Sequence, residues 1–344
     1  MELTREQCRN IKGCAILMIM IHNFVDHPLH IDCNEMFYSQ GATDAFLANL
    51  FTESSIWYIF SFAGWIGVAL FLFLSGYGLC RKYDNQPVDT GSYIWSHAVK
   101  LWKLLIPVYL TYVVVSSLLF NEDYWLRSII AQITLTINPL DYGNSGFVIN
   151  PGVYWFFGAI MQFYLLFLVL RKLSVKSLWV LTCIFIGIHY LVLFVIAHNE
   201  FMTWTRHNFI GWAVPFLLGM IAARTRLAPS KRVLVIVGIV SFIFLSISMI
   251  SKVLSPFTEV FTILLFASII QLFSWRAFSF LGTISASIFV IHPFVRIIFY
   301  NVTDVASHTL ALTSAYFVIT VIVSFLHNRL LNQTGKKRDP ASAE

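Results

Sequence analysis

Ten stretches of this 344-residue chain run nearly free of charge for long enough to approach the width of a bilayer. They fall at 13–25 with its flanks, 56–80, 104–120, 142–170, 177–199, 207–223, 233–251, 253–275, 277–295 and 305–328. A helix needs about 20 predominantly apolar residues to cross the hydrocarbon core. Within that core the backbone must satisfy its own hydrogen bonds, which a helix does inside one segment. The pattern predicts an all-α integral membrane protein with about ten transmembrane helices. Composition agrees: only 12% of the residues are charged, against roughly 25% in soluble domains.

The basic residues test that count. With the N-terminus cytoplasmic, the odd-numbered helices run outward. Every Lys and Arg but Arg127, Arg206, Lys252 and Arg296 then falls on the cytoplasmic side. One helix more or fewer would scramble the sorting, so the positive-inside rule supports both the count and cytoplasmic N- and C-termini. The net charge of +6 is thus a topology signal and not a nucleic-acid footprint. The first helix reads as a retained span rather than a cleaved signal, since no small-residue cleavage motif follows it. One integral domain is expected over 1–331, with a disordered cytoplasmic tail at 332–344. Two outer connections, 29–55 and 121–151, are long and acidic. Within the second, 128–140 is apolar but too short to span, so an interfacial or re-entrant course is expected.

Ionisable side chains inside spans are costly and by default suggest function. His22 lies in the first helix and could act as a general base on an alcohol. Packing against a neighbouring carbonyl would explain it equally well. Asp26 follows one turn later, where it could orient the imidazole or simply face water. His292, followed by the helix-breaking Pro293, lies at a similar depth in another outward-running helix, so the two histidines could share a cavity. Gly64 to Gly78 form a small-residue block containing Ser75, followed by Arg81 and Lys82, which could bind an anion or merely flank the span. Trp155 opens an aromatic-rich helix whose Gln162 needs a partner within the membrane. The five cysteines show no CxxC spacing, and no HExxH or comparable pattern joins the histidines, so no metal is expected.

In this order, the segments at 12–22, 67–78, 155–166 and 281–292, with 216–220 between them, resemble the acyltransferase-3 family of membrane O-acyltransferases. That family includes acetylases of envelope sugars. Lys12 stands where the family's opening usually has arginine. Ile160 and Met161 replace a carboxylate pair found in other branches. The resemblance implies transfer of an acyl group, most simply acetyl, from acyl-coenzyme A to a hydroxyl of an envelope polysaccharide or glycolipid sugar. It implies a multi-pass protein of the inner membrane, in contact with lipids, and leaves a homodimer open. His22 would be the catalytic residue, with Asp26 and His292 as companions. Lys12, Ser75, Arg81 and Lys82 would serve the donor, and Trp155 and Gln162 the acceptor. The rival reading is a transporter of a sugar or lipid-linked precursor, with the histidines as proton relays.

Overall fold

The structure, a computed structural model, describes residues 2–25, 35–303 and 309–336. Among them the chain forms sixteen α-helices. The first six are α1 (Arg5–Val25), α2 (Gln40–Asn49), α3 (Ser55–Ala63), α4 (Gly67–Tyr83), α5 (Thr90–Phe120) and α6 (Leu126–Ile133). Then come α7 (Ile137–Leu140), α8 (Trp155–Leu170), α9 (Val175–Tyr190), α10 (Asn199–His207) and α11 (Phe209–Thr225). The last are α12 (Lys231–Ile250), α13 (Thr258–Leu272), α14 (Arg276–Thr283), α15 (Ser285–Val302) and α16 (Thr309–Lys336). The protein is an all-α multi-pass membrane protein.

Among the described residues, eight helical segments are long and apolar enough to cross a membrane. A ninth qualifies if α10 and α11, bent by 41° at their junction, count as one. The remaining predicted span is α1, which is 21 residues long but too polar to qualify. It carries Arg5, Glu6, Arg9 and Lys12 in its first half and His22 and Asn23 near its end. Arg5, Glu6 and Arg9 are exposed at the start of the helix, while Lys12, His22 and Asn23 are buried or half-buried within a wrap of α3, α4, α13, α14, α15 and α16. The outer helices show the opposite pattern. On α12, Ile236, Ile239 and Phe242 point outward, as lipid-facing side chains should. Glu259, in the first turn of α13, is turned into the protein interior.

Two predicted spans are broken. The stretch 277–295 divides at Ile284, whose φ and ψ of −104° and 9° are not helical. Its first part, α14, packs along α1 and its second, α15, is long enough to span. The stretch 142–170 becomes helical only from Gly152. The apolar piece at 128–140 is the short pair α6 and α7, docked on the start of α8. There Gln132 donates to the Tyr154 carbonyl at 3.2 Å, and Asn138 to that of Trp155 at 2.7 Å. At the other terminus α16 continues to Lys336, past the point where the tail was expected to begin.

Close packing rests on paired small residues, since apolar surface alone gives helices in lipid little reason to associate. A Cβ on Gly76 of α4 would fall on the Phe216 carbonyl oxygen of α11, and one on Gly219 of α11 would fall on that of Phe73. The same reciprocity joins α1 to α14, where Gly13 faces the Phe278 carbonyl and Gly282 that of Arg9.

At one end of the bundle a single arginine ties three connections together. Arg224 holds Asp84 through Nε at 2.6 Å and Nη2 at 3.0 Å. It also donates to the carbonyls of Leu173, at 2.6 Å, and Arg171, at 2.8 Å. Arg171 in turn donates to Gln86 at 2.7 Å. This basic end gathers the loops that the charge sorting assigned to the cytoplasm.

Gly219→Val should force α4 and α11 apart and destabilise the protein by about 1–3 kcal/mol, the usual scale of overpacking. Thermal unfolding in detergent checks this, and an unchanged midpoint would refute the close-approach account. Arg224→Lys should be nearly as damaging as Arg224→Ala, because an ammonium cannot reproduce the two-pronged grip on Asp84. Rescue by lysine in the same assay would refute that.

Candidate active site

His22 lies one turn from the end of α1, opposite the short 3-10 turn of Gly64–Ile66 that joins α3 to α4. The approach is possible because residue 64 is glycine. A Cβ there would collide with the His22 side chain and with the Met18 carbonyl. His22 Nδ1 sits 2.7 Å from the Ser61 carbonyl. A carbonyl only accepts, so Nδ1 carries the proton, and in the neutral ring Nε2 holds the lone pair. That is the tautomer a general base needs.

The end of α1 is fixed from α15. Arg296 donates to the Asn23 carbonyl at 3.0 Å, and Tyr300 to the Phe24 carbonyl at 2.6 Å. These satisfy carbonyls that a helix end leaves open, and the arginine charge suits that pole of the helix. His22 and Asn23 line a pocket of about 60 Å³ together with Trp155, Trp212, Arg206 and Glu35. That is room for a few waters. Trp155 stacks on Trp212 with ring centroids 5.5 Å apart and 11° between planes. Trp212 donates to the Arg206 carbonyl at 2.6 Å, and Arg206 is ion-paired with Glu35.

A second cavity, of about 390 Å³, opens at the basic end. Its walls include Lys12, Lys82, Lys100, Ser75, His97 and Tyr83. Lys12 comes from α1 itself, ten residues before His22, so about 15 Å of helix axis separates the two. Asp89 caps the start of α5 by accepting from the Ser92 amide at 2.7 Å, which holds its carboxyl below the usual range. That cap fixes the helix presenting His97 and Lys100. Among the described residues, no group of three or more His, Cys, Asp or Glu side chains is arranged to hold a metal ion.

A model of a known family, described as an acyltransferase domain, matches residues 9–329, nearly the whole chain. The chain belongs to the acyltransferase-3 family. It is therefore a membrane acyltransferase, and the transporter reading that intramembrane histidines left open gives way. No curated protein and no solved structure matches it.

The acyltransferase brings some of the predicted residues together and separates others. His22 and Trp155 share the small pocket, while Lys12, Ser75 and Lys82 share the basic cavity. Arg81 points away, 3.3 Å from Glu2. Gln162 spans the break between α10 and α11, donating to Asn208 and accepting from the Phe209 amide, each at 2.8 Å. It lines neither cavity. His292 is wholly buried beside Pro293, with Nδ1 3.2 Å from the Ile288 carbonyl, and it too lines neither cavity. Asp26 lies outside the described residues.

Sequence reasoning missed Arg206, Glu35, Asn23 and Trp212 in the small pocket, and Lys100 and His97 in the large one. For Arg206 a signal existed: it is among the few basic residues on the acidic side. Gly64→Ala should displace His22 and cost about 100-fold in acyl transfer, the scale of an ångström misplacement. Transfer assays on membranes with matched protein amounts test this. Wild-type turnover would show that the glycine does not position the histidine.

Proposed function

We propose that this acyltransferase carries an acyl group, most simply acetyl, from acyl-coenzyme A to a hydroxyl of an envelope polysaccharide or glycolipid sugar. The observation that supports this best is α1, whose Lys12 lines the basic cavity while His22 of the same helix lines the small pocket.

In this reading the basic end faces the cytoplasm of a cell whose inner membrane holds the protein. The phosphates of coenzyme A are drawn to Lys12, Lys82 and Lys100, with Ser75 on the wall beside them. Its thioester arm extends along α1 toward His22. The acceptor reaches His22 from the opposite end, past Trp155, Arg206 and Glu35. His22 Nε2 takes the proton as the acceptor oxygen attacks the thioester carbonyl carbon. The carbon–sulfur bond then breaks, and the leaving thiolate takes that proton from the His22 imidazolium to give free coenzyme A and the neutral histidine. The Ser61 carbonyl accepts from Nδ1–H throughout and favours the imidazolium that forms. Asp26 is the residue placed by sequence to orient the ring further. Arg81, Gln162 and His292 have no chemical part in this scheme.

His22→Ala should abolish transfer while leaving insertion intact. The assay is ester-linked acetyl on surface polysaccharide in a deletion strain complemented with either form. Acetylation by the variant would overturn the role of the histidine. Lys82→Ala and Lys100→Ala should each raise KM for acyl-coenzyme A about tenfold with kcat little changed, the loss of one charge-assisted contact. Unchanged KM in both would remove the donor from that cavity.

A further inference from the structure

Among the described residues, Phe156 of α8 and Phe289 of α15 are the only ones that line both cavities. Their ring centroids stand 5.0 Å apart with 54° between planes. Each is flanked by further rings. Phe156 meets Trp155 and Phe71, with centroids at 6.0 and 6.4 Å. Phe289 meets Phe157 and His292, both at 5.7 Å. The partition between the basic cavity and the histidine pocket is thus one aromatic layer thick, made of two side chains from different helices.

We propose that Phe156 and Phe289 set the length of the acyl group that can be presented to His22. This rests on the donor and acceptor reading above. The thioester carbonyl must come to within about 3–3.5 Å of the attacking oxygen. It therefore sits at the aromatic layer, with sulfur on the side of the 390 Å³ cavity and the acyl tail on the side of the 60 Å³ pocket. That pocket must also admit the hydroxyl. A two-carbon acyl group leaves room for it, whereas each added methylene is driven against the rings. Interiors packed to this density respond even to single methylenes. The flanking rings prevent the pair from simply turning aside. Shortening either side chain merges the cavities and gives a longer tail an apolar space to occupy.

The test is equilibrium binding of thioether analogues of coenzyme A to the purified full-length protein, with tails matching acetyl, butyryl and hexanoyl groups. Wild type should bind more weakly as the tail lengthens. Phe156→Ala and Phe289→Ala should reverse the order, each added methylene tightening binding by about fourfold. The ratio between chain lengths is the readout, so a general loss of affinity cannot imitate the effect. If the alanine variants do not fold, Phe156→Leu and Phe289→Leu should flatten the wild-type dependence. A length dependence identical to wild type in all variants would overturn the gauge alone. Failure of wild type to bind coenzyme A itself would overturn the donor reading, and the gauge with it.

Discussion

The structure depends on keeping one polar helix inside an apolar bundle. In hydrocarbon, α1 would expose arginines, a lysine, a histidine and two asparagines. Surrounded by six other helices it buries Asn10 and His22 and half-buries Lys12 and Asn23, leaving Arg5 and Arg9 exposed near its start. That enclosure requires neighbours to approach at backbone distance, and glycines at Gly13, Gly64 and Gly282 make room for the approach. Polar side chains then complete the hydrogen bonding that lipid cannot. Asn10 accepts from the Trp275 amide at 2.9 Å, and Arg296 and Tyr300 close the far end of the helix. Membrane helices generally tolerate such groups only where protein or water receives them. Here the helix that most needs enclosure is also the one that carries the candidate base.

Two chemically unlike spaces therefore meet on a common helix. One is roomy and ringed by lysines, suited to a large anion. The other is small, walled by tryptophans and supplied with a histidine whose tautomer is set by a carbonyl. The distance of about 15 Å along α1 from Lys12 to His22 suits a ligand whose charge and reacting group lie at opposite ends of a long arm, as in coenzyme A.

Much of this was legible in the sequence. The long apolar runs were enough to give an all-α membrane bundle, because hydrocarbon leaves the backbone few alternatives. The ordered motifs gave the family, and His22, Trp155, Lys12, Ser75 and Lys82 all line the two cavities. Other features were illegible for physical reasons. The Ile284 break does not interrupt hydrophobicity, so a run of apolar residues hid two helices with different tasks. Gln162 looked like a ligand-binding amide, yet it satisfies the open helix start at Phe209, a need created by a bend the sequence does not announce. His292 resembled His22 in its place along an outward-running helix, yet its ring is turned onto the Ile288 carbonyl of its own helix and reaches neither cavity. Arg206 and Glu35 meet through folding of separate connections, which no local pattern encodes.

The Arg224 knot has a mechanical consequence. It lashes the turns after α4, α8 and α11 into one plate, so these helices share a fixed fulcrum at the basic end. A lever pinned there cannot widen its mouth by splaying. Any breathing between α4, α8 and α11 must grow toward the free ends, where Trp155 and the bent α10–α11 junction lie. Rigidity is thus concentrated where a charged ligand would be gripped, and compliance where a bulky acceptor would have to be received.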